Sequence, residues 1–61
     1  MSVDPTEIMD ISDRLLEQYP GEFTGQFDSN KRKVERLTDI RTHHTVNRIA
    51  GHITRRQQRG E

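Results

Sequence analysis

The sequence contains no cysteine, so neither a disulfide framework nor a thiolate metal site can staple it. No apolar run exceeds two residues, which leaves no membrane span and no signal-peptide core. Hydrophobic residues make up only 28% of the chain against 33% charged, close to the composition at which chains stay disordered alone. The three aromatics are Tyr19, Phe23 and Phe27. The 61 residues allow one small domain, and a domain of this size buries only about 60% of its unfolded surface. A core this thin calls for a partner that completes it.

Enzymatic chemistry is short of parts. Ser2, Ser12 and Ser29 have no neighbouring histidine, and no glycine-rich phosphate loop is present. A fold this small also lacks volume for a substrate pocket. His43 and His44 are adjacent, so on a helix they point about 100° apart, whereas a shared zinc wants ligands one turn apart or from separate elements. No enzyme, metal, cofactor, small-molecule substrate or membrane is expected. A soluble cytoplasmic protein is.

What is present divides the chain in two. Residues 1–30 carry seven acids against Arg14 alone, a balance of −6, and residues 31–61 carry nine bases against three acids, a balance of +6. Asymmetry of this kind points to a nucleic-acid surface on the basic half. Two solvated faces that attract each other would look the same.

Periodicity predicts an all-α, orthogonal three-helix bundle in a single domain over 1–61. The first helix covers about 5–19. Asp4 caps it, Pro5 suits its first position, Glu7 completes a capping box, and Pro20-Gly21 stops it. Ile8, Ile11, Leu15 and Tyr19, with Leu16 beside them, form its apolar stripe. Asp10, Asp13 and Glu17 face water. Phe23 and Phe27 are expected to plug the core, each burying roughly 2–3 kcal/mol of apolar surface; a base-stacking platform is the alternative.

The second helix is expected over about 28–38, capped by Asp28 or Ser29, with Val34 and Leu37 inward. Lys31, Arg32 and Lys33 then fall in its first turn, the wrong sign for a helix N-terminus. Phosphate contact would explain them, and so would pairing with the acidic first helix. The third helix, about 42–57, follows Thr42 as N-cap. Val46, Ile49, Ala50 and Ile53 mark its core face, and His44, Arg48, His52 and Arg56 form a cationic stripe opposite. Gly51 within it costs about 1 kcal/mol relative to alanine, so a neighbouring helix is expected to come close there. Arg55, Arg56 and Arg59 suit the helix C-terminus. Met1 to Val3 and the tail over 58–61 are expected to fray.

The run Asn47-Arg48-Ile49-Ala50-Gly51, followed by His52-Ile53-Thr54-Arg55, resembles the Asn-Arg-Ile-Ala-Gly-Tyr-Val-Thr-Arg signature of the small-subunit ribosomal protein "seventeen-e" family of archaea and eukaryotes. Leu15, Leu16, Glu17, Tyr19, Phe23, Phe27, Asn30-Lys31, Val34, Ile40 and Thr42 extend the likeness upstream. It spans about Ile11 to Arg56, without a gap. The resemblance implies the same three-helix fold and a structural role in the small ribosomal subunit, with ribosomal RNA and neighbouring subunit proteins as partners.

The residues expected at the RNA are Lys31, Arg32, Lys33, Asn47, Arg48, Arg55 and Arg56. Arginines on a helix track a phosphate backbone by charge-assisted contacts, and nothing here reads bases. Asn47 would meet a ribose or phosphate, or else fix the turn before the helix. Where the family has Ser-Lys-Lys-Leu-Arg, this chain has Thr42-His43-His44-Thr45-Val46, and its tyrosine is His52. Eight Arg to two Lys and the abundance of acid, for a chain resembling a ribosomal protein, point to a salt-loving archaeal host. Two other readings stand beside the ribosomal one. A protein-interaction module is favoured if Val46 lies exposed, and a helix-turn-helix DNA-binding protein would put Thr42 to Arg48 in a major groove.

Overall fold

A computed structural model describes residues 4–58. It is a three-helix bundle of α1 (Pro5–Gln18), α2 (Phe27–Leu37) and α3 (His43–Gln58), with no strand among the described residues. Helix α3 is the axis of the fold. Both α1 and α2 pack on it and, among the described residues, do not pack on each other.

The start of α1 follows its sequence signals. Asp4 takes the Thr6 N–H on its carboxylate at 3.2 Å, and Glu7 returns a carboxylate to the Asp4 N–H at 3.3 Å. Two free N–H groups of the first turn are thereby satisfied. Gly21, at φ +90, makes the turn that α1 ends in; only a residue without a β-carbon takes that conformation cheaply. The buried line of α1 is Ile8, Ser12 and Leu15, with Ile11, Leu16 and Tyr19 half-buried beside it. Ser12 is the unexpected member. It is fully buried, and its hydroxyl donates to the Ile8 carbonyl at 2.7 Å, so a polar residue enters the seam without an unmade hydrogen bond.

Helix α2 begins one residue earlier than expected, and neither Asp28 nor Ser29 caps it. Gln26 occupies the cap position and gives no side-chain hydrogen bond. The loop is tied down by Asn30 instead. This side chain has no exposure; its Oδ1 accepts the Thr24 N–H at 2.9 Å, and its Nδ2 donates to the Thr24 carbonyl at 2.6 Å and the Thr54 hydroxyl at 2.7 Å. One asparagine thus joins the incoming loop, α2 and α3.

Starting α2 at Phe27 also moves Lys31, Arg32 and Lys33 out of its first turn, which holds Asp28. The expected conflict with the helix dipole is absent, because that effect fades beyond the first turn.

The connection to α3 is pinned by Thr38 and Arg41. The Thr38 hydroxyl donates to the Val34 carbonyl at 2.7 Å and accepts the Ile40 N–H at 3.2 Å. The Arg41 guanidinium donates to the carbonyls of Glu35, Thr38 and Ile40, supplying positive charge to the carbonyl end of α2. The Val46 N–H then donates to the Thr42 carbonyl at 3.0 Å, as expected of a helix entered through Thr42.

The core is Ile8, Leu15, Phe23, Val34, Val46, Ile49, Ala50 and Ile53. Val46 is 1% exposed, so its place in the sequence is a packing requirement. Phe27 corrects the expectation of two aromatic plugs: Phe23 is buried, but Phe27 is 38% exposed. As the first residue of α2 it lies at the bundle's edge beside Gly51. A β-carbon at Gly51 would meet only the Cε1 edge of that ring, at 3.9 Å, which is ordinary contact. The expected close helix approach at Gly51 is therefore absent. Fraying of Met1 to Val3 and of 59–61, and the part given to Arg59, lie outside the described residues. Gln57 and Gln58 are helical, and their amides donate to the carbonyls of Phe23 and Gly25 at 3.0 and 3.2 Å.

Candidate RNA interface

The seven residues expected at an RNA surface fall into different situations. Lys33 Nζ is held by Glu22, at 2.8 Å from the carboxylate and 3.0 Å from the carbonyl. Hydrogen bonding to this ammonium, and then its charge, keep the Glu22 carboxyl below its ordinary pKa. Arg56 donates to the Asp13 carboxylate of α1. Both pairs lie at the surface and add little to stability, yet each engages one cation and one acid internally. Lys33 does find an acid, but in the loop after α1 rather than on it.

Lys31 is half-buried, its Nζ 6.0 Å from the centre of the Phe27 ring, a distance at the outer limit of cation–π attraction. Arg32, Arg48 and Arg55 are exposed, and among the described residues no carboxylate pairs with them. Asn47 does not fix the turn before α3. It lies within the helix, half-buried, with Oδ1 shut from water and without a partner.

Two hollows separate these groups. Arg32, Lys33 and Arg36 share one of about 430 Å³ with Gln26, Asp28 and Ser29 at the start of α2. Arg48 and Arg55 share the other, a groove of about 490 Å³ where α3 faces the first turns of α1. Its α3 wall is Arg48, Gly51, His52 and Arg55, and its α1 wall is Pro5, Ile8 and Met9. The two arginines stand at −3 and +4 from Gly51, so one face of the helix carries a cation on each side of a position with no side chain. Sequence reasoning finds the cations but misses the α1 wall, because no local signal says which helix end will lie opposite Gly51.

The family model described as Ribosomal S17 matches residues 3–61. The chain belongs to the S17e family of ribosomal proteins. A small ribosomal subunit protein eS17 from Methanocella arvoryzae is 47% identical over 55 residues, covering 90% of this chain and 85% of that relative. The protein of the same name from Haloquadratum walsbyi is 40% identical over 57 residues, covering 93% and 85%. That of Methanospirillum hungatei is 39% identical over 61 residues, covering 100% and 95%. Membership of the S17e family makes the chain a structural, non-catalytic protein. The groove cations Arg48 and Arg55, with Gly51 between them, all fall in the stretch through which the sequence resembles that family.

Proposed function

We propose that this chain is a structural constituent of the small ribosomal subunit, working in the cytoplasm and binding ribosomal RNA through the backbone phosphates. The carrying observation is the exposure of Arg48 and Arg55, without a described carboxylate partner, on one face of α3. Arginine in that state offers paired donors to phosphate without first breaking an internal contact. Arg32 adds a third such cation from α2. Lys31, Lys33, Asn47 and Arg56 are secondary contacts, since each is engaged internally or half-buried. The acidic outer face of α1 is turned to solvent or a neighbouring subunit protein.

Neither alternative gains from the geometry. Val46 is buried, so its substitution is structural and offers an interaction module no exposed apolar contact. Thr45 and Val46 are both buried in the middle of the stretch a helix-turn-helix would lay in a groove.

The test is sedimentation of a cell extract at the host's ionic strength, with immunodetection of the chain across the gradient. Near-stoichiometric signal on the small subunit is expected, and signal confined to the top of the gradient would sink the reading. In purified form, removing a cation that neutralises one phosphate should flatten the salt dependence of RNA affinity by about 0.7–0.9 in log–log slope. Arg48→Gln and Arg55→Gln should show that change more fully than Lys33→Gln and Arg56→Gln.

A further inference from the structure

The groove along α3 is amphipathic, which phosphate contact alone does not use. Between Arg48 and Arg55, about 10 Å apart along the axis at seven residues of 1.5 Å rise, lies Gly51, where the helix surface dips to its backbone. The facing wall is apolar: Pro5, Ile8 and Met9. Met9 is half-exposed at 50%, the most exposed large hydrophobic side chain among the described residues. His52 lines the same groove, with its Nε2 shut off from water and lacking a hydrogen-bond partner. Gly51 is not required by the fold, since a β-carbon there would meet nothing closer than the Phe27 ring edge at 3.9 Å. A position without a side chain that the packing does not demand, set between two cations in a groove that Met9 also lines, has the form of a receptor.

We propose that this groove receives one unpaired base of the RNA, with Arg48 and Arg55 on the phosphates to either side of it. The inference rests on the RNA reading above and names what that site takes. Charge decides the outer parts of the occupant: two guanidiniums on one face want two anions. Shape and polarity decide the inner part, which must be flat, apolar on its faces and thin enough to lie over Gly51. A splayed-out nucleotide joins those properties in one residue, and unstacked bases in bulges and loops are what proteins commonly take from folded RNA. The Met9 sulfur offers the base a polarizable contact of the kind thioethers make with aromatic rings. An acidic protein segment would satisfy the arginines, but gives no reason for the dip at Gly51.

The test uses the full chain and two short RNA hairpins, one with a single-nucleotide bulge and its fully paired counterpart, with affinities measured at one fixed salt concentration. The chain should bind the bulged hairpin about tenfold more tightly, the value of one stacked base. Met9→Gln and Gly51→Gln should each abolish that preference and leave affinity for the paired hairpin within about twofold. Helicity is checked for both variants, and Met9, being half-exposed, carries the result if Gly51→Gln misfolds. Equal affinity of the unaltered chain for the two hairpins would overturn the proposal while leaving the RNA reading intact, as would a preference that survives Met9→Gln. Binding to neither hairpin would remove both. Equal hairpin affinities together with loss of the Met9→Gln chain from the subunit would give the groove to a protein neighbour and overturn the base.

Discussion

Along the seam between α2 and α3, Asn30 makes three hydrogen bonds, to both backbone groups of Thr24 and to the Thr54 hydroxyl. Along the seam between α1 and α3, the buried residues of α1 are Ile8, Ser12 and Leu15, and the polar link is the surface pair of Arg56 with Asp13. One seam is set by directional bonds that only one arrangement satisfies. The other is set by apolar area, which stabilises many arrangements nearly as well. The first therefore fixes how the loop, α2 and α3 meet, and the second supplies mass to a core too small to do without it.

Four changes would break or sharpen that contrast. Asn30→Asp carries the largest expected effect. It puts a carboxylate at a fully buried position where the Nδ2 group donated two hydrogen bonds, at a cost of about 3–5 kcal/mol, enough to unfold a domain of this size. Circular dichroism should show an unfolded chain at neutral pH that regains helix on acidification, as the carboxyl takes up a proton. Leu15→Ala attacks the other seam and should cost about 3 kcal/mol in urea unfolding. It should do so at every pH alike, which separates loss of area from loss of directed bonds.

Gly51→Ala lies outside the hydrogen-bonded network and should stabilise the fold by up to about 1 kcal/mol through helix propensity; a drop in the thermal unfolding midpoint would mean that α3 needs the glycine after all. The smallest effect belongs to Lys33→Gln. The Glu22 carboxyl is held below its ordinary pKa by Lys33. Its contribution to stability is present above the unfolded-state pKa and lost as pH falls through the lowered folded-state value. NMR titration of Glu22 should show the midpoint return upward in Lys33→Gln, with no change in the fold.

The helices are legible in the sequence because their signals are local. Asp4, Pro5 and Glu7 sit within one turn of one another, and Val46, Ile49, Ala50 and Ile53 declare a face by spacing alone. What escapes is set by residues far apart in the chain. Asn30 hydrogen-bonds to Thr54 from 24 residues away, so spacing along the chain does not show that it ties α2 to α3, and Asp28 looks locally like a cap that the fold does not use. Arg56 and Asp13 are 43 residues apart, so the sequence displays a cation without displaying that it is already matched. Phe27 has the size of a core residue, but its side chain shares the edge of the bundle with Gly51. For the candidate site, residue types are readable and availability is not: seven cationic or polar residues are legible, and only the folded chain separates Arg32, Arg48 and Arg55 from those with internal work.

The arrangement of α1 and α2 around α3, with no packing between the two outer helices, has a consequence for the order of events during synthesis. The helix that both others require is the last of the three to leave the ribosome. Until His43 to Gln58 has emerged, α1 and α2 lack the helix on which both pack, and isolated helices of 14 and 11 residues are marginal in water. The chain therefore cannot fold in stages as it grows. It folds in one step when its third helix arrives, and the surface carrying Arg48 and Arg55 comes into being in that same step.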